Sequence, residues 1–180
     1  MNRIVGFLLA WGLVWTAQAQ ESTYSNNLKM REDRRVGVGT QVGGSAGMMG
    51  LHVELNIEDQ DGVLAGFGLG EGFSTFSLAW KHNFEGEFFT PYTTMGVSRW
   101  YNSAGTSPAR SYLLDSLLTA EEKSSGRFGV DFLVGSLGAQ YNQLDGELAG
   151  ASFFAQADLF LAPFRGQVMP SASVGVTYFF

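Results

Sequence analysis

From Val36 onward the chain alternates apolar and polar side chains, the two-residue period of strands with unlike faces. The clearest run puts Leu51, Val53, Leu55 and Ile57 on one face and His52, Glu54, Asn56 and Glu58 on the other. The last residues repeat it, with Ala172, Val174, Val176, Tyr178 and Phe180 set against Ser171, Ser173, Gly175 and Thr177. The pattern predicts eight strands, at 35–43, 49–58, 62–70, 73–84, 88–101, 127–141, 147–161 and 167–180. Turn-forming residues fall between them, at Asp59 to Gly62, Glu85 to Glu87, Asn142 to Gly146 and Pro163 to Gly166. A single sheet of adjacent hairpins is the simplest architecture.

Two closed sheets fit such a pattern, and they differ in which face is wet. A soluble carrier turns its polar face outward, whereas a membrane barrel turns it inward. Here the polar face of 62–101 holds mainly small residues, such as Gly66, Gly68, Thr75, Ser77, Ala79, Thr94 and Ser98, with Lys81 as its one charge. The opposite face holds Val63, Phe67, Leu69, Phe76, Leu78, Trp80, Met95 and Val97. A water-facing surface needs more charge than this, and hydrocarbon contact needs none. The expectation is therefore an all-β, eight-stranded antiparallel up-and-down transmembrane β-barrel. In that topology the strand ends place Phe84, Phe88, Phe89, Tyr141, Tyr178 and Phe180 at one boundary, and Phe73, Trp100, Tyr101, Phe128 and Phe160 at the other. These are expected to form two aromatic girdles.

Composition agrees and removes other classes. Glycine is abundant at 24 of 180 residues, only 16% of residues are charged, and there is no cysteine to form disulfides or thiolate metal sites. A formal charge of −6 argues against nucleic acid as a partner. The first residues read as an export signal rather than structure: Arg3, an apolar stretch from Ile4 to Trp15, and the small-x-small site Ala17-Gln18-Ala19. The organisation expected is a cleaved signal peptide (1–19), a polar, solvated lead-in (20–34) and the barrel (35–180), with one long outer loop at 102–126.

The terminal pattern of Val174, Val176, Tyr178 and Phe180 resembles the C-terminal signature of bacterial outer-membrane β-barrel proteins. With the export signal and eight strands, the mature chain resembles a small OmpA/OmpX-type barrel. The resemblance implies residence in the outer membrane, contact with its lipid, and recognition of the last strand by the barrel assembly machinery. The short connections, only one of them long, depart from the usual loop pattern of that group.

An eight-stranded lumen is just wide enough for side chains. The alternation directs His52, Glu54, Lys81, Arg127, Asp131, Gln156 and Asp158 into it, where charges must be paired. The expected role is structural or surface-interactive, without catalysis, cofactor or metal. One alternative is a narrow ion or small-solute channel along Glu54, Asp131 and Asp158. The other is a lipid A-modifying enzyme, for which His52, inward with Glu54 on its face while His82 points outward, is the one credible base, although no His-x-Ser pair is present. Within the long loop, Leu113, Leu114, Leu117 and Leu118 form one helical stripe, suited to plugging the mouth, lying on the membrane or docking a surface partner. Outward Ala149, Ala151, Ala155 and Ala157 suggest a seam for a homo-oligomer. Phe128, Val130, Phe132 and Val134 read as outward, as do Leu137 and Ala139, and the change of parity predicts a β-bulge near Gly135.

Overall fold

The computed structural model describes residues 23–102 and 110–180. Residues 1–22, which include the stretch expected to be an export signal, and residues 103–109 of the long loop lie outside the described residues. Eight antiparallel strands form a closed barrel in sequence order: β1 (Val36–Gly43), β2 (Met49–Asn56), β3 (Asp61–Gly70), β4 (Phe73–Asn83), β5 (Phe89–Asn102), β6 (Phe128–Asn142), β7 (Ala151–Ala162) and β8 (Gln167–Phe179). β8 closes the sheet on β1, from Gly37↔Phe179 to Gly43↔Ser173. Among the described residues three short α-helices lie at the ends, α1 (Asn27–Asp33), α2 (Tyr112–Leu117) and α3 (Ala120–Ser125), with a 3-10 turn at Gly44–Ala46. The end carrying α1 and the β2–β3, β4–β5 and β6–β7 turns is called lower here. The end carrying α2 and α3 is called upper.

Alternation sets the two faces as expected. In β2, Leu51, Val53 and Leu55 stand exposed on the outer wall, while His52, Glu54 and Asn56 are buried inside. The outer wall is apolar almost throughout, with Phe67, Leu78, Met95, Val97, Leu137, Phe153 and Val174 all exposed. This is the inverse of a water-soluble carrier. Glycines on the inner face make room for larger neighbours: a side chain at Gly138 would overlap the Tyr92 ring, and one at Gly39 would overlap His52.

Strand β6 departs from expectation. It pairs without interruption with β5 (Phe89↔Tyr141 to Asn102↔Phe128) and with β7 (Leu133↔Leu161 to Asn142↔Ser152), so there is no bulge at Gly135. Its parity, carried unbroken from Asn142, Gln140 and Ser136, turns Val134, Phe132, Val130 and Phe128 inward, each 8% exposed or less. The prediction of a bulge assumed that apolar side chains belong outside. In the upper lumen they belong inside, because a lid of leucines covers them.

The same correction applies to the upper aromatic girdle. Phe73, Trp100, Phe128 and Phe160 face the lumen and are buried, and of that group only Tyr101 lies on the outer wall. The lower girdle stands on the outside, with Phe84, Phe88, Phe89, Tyr178 and Phe180 all exposed.

Candidate functional site

The lumen is the candidate site, and it is built in three levels. At the lower end, α1 lies across the opening. Asn26 caps it by accepting from the Lys29 backbone N–H at 2.8 Å. Asn27 is fully buried and ties the helix to the β4–β5 turn, donating to Phe84 O (3.1 Å) and accepting from Gly86 N (3.0 Å). Arg31 points into the barrel with no exposed surface and donates to Glu54 and Asn56. Glu54 also accepts from Lys81 Nζ at 3.0 Å, so a single carboxylate holds two buried cations. Arg34 clamps the rim, donating to Ala149 O (2.6 Å), Phe179 O (2.9 Å) and Tyr24 Oη (2.9 Å). The solvated lead-in expected here is therefore half wrong. Lys29 and Glu32 form an exposed pair, but Leu28, Met30 and Arg31 are buried and stop the lower mouth.

The middle level is a hydrogen-bonded lattice with little empty space. Lys81 donates to Gln140 Oε1 (2.8 Å) and lies over the Tyr92 ring at 4.4 Å. Gln140 and Ser152 donate to Asn142 Oδ1, and Asn142 donates to Thr90. Asp158 is 3% exposed, and neutral donors surround it: Ser136 (2.6 Å), Gln156 (2.7 Å) and Ser173 (3.0 Å). His52 pairs through Nε2 with Thr177 Oγ1 at 2.8 Å and meets the edge of Phe154. Between these groups lies a cavity of about 40 Å³, bounded by Gln41, His52, Ser77, Thr94, Ser136 and Gln156. That is room for a few water molecules, not for a solute.

At the upper level the lining becomes apolar. Trp100 stacks on Phe73 at 5.1 Å and meets Phe132 and Phe160 edge-on at 5.5 and 5.7 Å. From above, Leu113, Leu114, Leu117 and Leu118 close over this cluster, all 9% exposed or less. The loop stripe therefore plugs the mouth. It is not a free docking face, because each of its four leucines is already buried against the barrel. The single helix expected breaks at Leu118, and Thr119 starts α3 with a reciprocal capping box to Glu122. Glu122 then forms a double hydrogen bond with Arg165 of the β7–β8 turn (2.6 and 2.9 Å), and Arg165 also donates to Leu117 O at 2.6 Å. The Arg165 hydrogen bond holds the Glu122 carboxyl well below its ordinary range, at about 2.

Of the polar residues expected in the lumen, His52, Glu54, Lys81, Gln156 and Asp158 are there, and the first three share one neighbourhood. Arg127 and Asp131 are not. Arg127 is exposed, and Asp131 lies on the outer wall 3.6 Å from Arg99, its side chain half exposed. The unbroken parity of β6 is the reason in both cases. The counter-ion missed was Arg31, whose partner is 23 positions away. The one available signal was that Glu54 on β2 and Lys81 on β4 share the inner face one strand apart, close to a segment dense in arginine. The alanine seam also shrinks: Ala155 and Ala157 face outward, whereas Ala149 is buried with Tyr24, Met30, Leu144 and Phe179, and Ala151 is 8% exposed.

No family model and no curated protein sequence matches the chain. Among solved structures, the N-terminal β-barrel domain of Pseudomonas aeruginosa OprF superposes with a TM-score of 0.58 at 15% identity, covering 82% of this chain and 98% of that domain. The chain has the fold of a small outer-membrane β-barrel. Two structures of the Yersinia pestis outer-membrane protein Ail are also similar. One, in a phospholipid bilayer nanodisc, has a TM-score of 0.45 at 13% identity, covering 82% of this chain and 99% of that one. The other, a crystal structure, has a TM-score of 0.43 at 15% identity, covering 81% and 95%. At these identities the likeness speaks for architecture, and this barrel's interior must be read from its own residues.

Proposed function

We propose that this protein is exported to the outer membrane and serves there as a closed barrel, with a structural or surface-interaction role rather than transport or catalysis. The observation that carries this reading is closure at both ends, by an arginine-anchored helix below and a leucine–aromatic plug above, around a cavity of about 40 Å³. The apolar outer wall supports residence in a bilayer. The exposed terminal residues Val174, Tyr178 and Phe180 support reading of β8 by the assembly machinery.

His52 is poorly placed for acyl chemistry. Its Nε2 is committed to Thr177, and the nearest carboxylate on its strand, Glu54, is held by Arg31 and Lys81. Overexpression should therefore leave the lipid A acylation pattern unchanged, and an altered pattern that disappears with His52→Ala would defeat the non-catalytic reading. Purified protein in planar bilayers should show no steady current. Deleting α1 alone should still give none, because the upper plug remains, and a stable conductance in the intact protein would favour the narrow channel instead.

A further inference from the structure

The outer wall carries a broad, open trough of about 700 Å³ running along β5, β6 and β7 and reaching β8 at Pro170. Gly135 and Ala157 form its floor, and Met95, Leu133, Leu137 and Leu159 form its banks. The floor is open at Gly135, where an added Cβ would meet nothing within 4 Å. Met95 and Leu137 stand 76% and 73% exposed on either side. Its mainly apolar lining, open to the bilayer side, leaves room for an acyl chain against the wall.

A second feature lies directly above it. The β6–β7 ladder stops at Leu133↔Leu161, while β6 continues upward to Phe128. The parting of the strands opens a crevice of about 360 Å³, bounded by Thr119, Gly129, Asp131, Phe164 and Arg165. Arg99 reaches across Gly129 from β5, with its guanidinium 3.4 Å from where a Cβ would stand, and exposed Arg127 stands just before β6, two residues from Gly129 in sequence. Asp131 faces Arg99 at 3.6 Å, and Glu122 holds Arg165. The arginines thus exceed the carboxylates around this crevice, in a chain whose formal charge is −6.

We infer that the β6–β7 seam is a binding site for one phosphate-bearing lipid, with an acyl chain in the trough and its headgroup phosphate met by Arg99 and Arg127. The inference rests on the outer-membrane reading above and adds a defined ligand to it. The shape and the charge point the same way: apolar at hydrocarbon depth, cationic where the strand rises to the rim.

Protein folded in non-ionic detergent micelles, titrated with phosphatidylglycerol or with phosphatidylcholine, tests this by native mass spectrometry. One phosphatidylglycerol should be retained per barrel. Gly135→Trp, which fills the trough, should weaken retention at least about tenfold. Ala157→Leu narrows the same floor and replaces it if the tryptophan variant does not fold. Arg99→Gln with Arg127→Gln should reduce phosphatidylglycerol to the level of phosphatidylcholine. Millimolar inorganic phosphate should not displace the lipid. Retention that ignores both floor substitutions overturns the site, as does displacement by free phosphate, or a dimer that the same substitutions convert to monomer. Heat-modifiable gel migration of the same samples separates the two levels of failure. Without a folded band the barrel reading itself falls, and with one only the lipid site does.

Discussion

The two ends of this barrel close by opposite chemistry. Below, a helix enters the lumen with Arg31 and is held by Glu54, Asn56 and a lattice of amides and hydroxyls. Above, Trp100, Phe132 and Phe160 pack under four leucines of the loop, and the Glu122–Arg165 pair that ties the loop down lies outside that apolar cluster. A polar closure depends on matched partners and fails when one is removed, because the remainder is left charged in a desolvated site. An apolar closure depends on volume and tolerates exchange of shape better than loss of it.

The two largest effects expected are of similar size, one at each mouth, and the first is at Glu54. Its replacement by Ala leaves Arg31 and Lys81 buried without a counter-charge and should cost about 3–5 kcal/mol, measured by urea unfolding of the micelle-bound barrel. A loss below 1 kcal/mol would show that the lower closure is hydrated and that its contrast with the upper one is false. At the other end, Phe160→Ala should cost about 3–5 kcal/mol through the cavity it leaves, while Phe160→Leu should cost about 1.5 kcal/mol or less. Equal losses for the two would mean that the upper plug, too, depends on specific pairing. Arg31→Ala is milder, about 1–3 kcal/mol, because Lys81 still neutralises Glu54. Its clearest readout is faster proteolysis within α1.

The smallest effect is the pH response of the lid. Glu122 titrates at about 2 when bound to Arg165 and near its ordinary 4.5 when the lid is free. Its folded value is the lower one, so the contribution of the Glu122–Arg165 pair is complete above about 4.5 and is lost as the pH falls towards 2. Hydrogen exchange in α2 and α3 should therefore accelerate between pH 5 and pH 3, relative to the lower strands, by roughly the equivalent of 1 kcal/mol. Glu122→Gln should abolish that dependence, and an unchanged response in this variant would assign it to another group.

Most of the barrel was legible because alternation is a local property. Leu51 to Glu58 and Ser171 to Phe180 state their two faces without help from the rest of the chain, and they place His52, Glu54 and the outward terminal residues correctly. Strand β6 was misread for a physical reason. Phe128 to Val134 are as greasy as a lipid-facing row, and only the lid's leucines, supplied by a distant loop, show that the same greasiness fills the lumen. Arg127 and Asp131 were misplaced along with them. The lead-in was misread because a dense run of charge normally means solvent, and the partner that buries Arg31 belongs to a strand still to come. Faces can be read from neighbours in sequence, but closure at the two mouths depends on neighbours in space.

The Arg34 clamp has a consequence for the order of assembly. Its guanidinium is fixed by the carbonyls of Ala149 and Phe179, the latter near the very end of the chain. A segment made early in synthesis thus waits for the last strand before it can dock, and sealing of the lower mouth becomes a report that the cylinder has zipped shut. Chains that stall before β8 joins β1 should leave residues 23–35 open to protease, and cleavage there would mark unfinished molecules apart from completed ones.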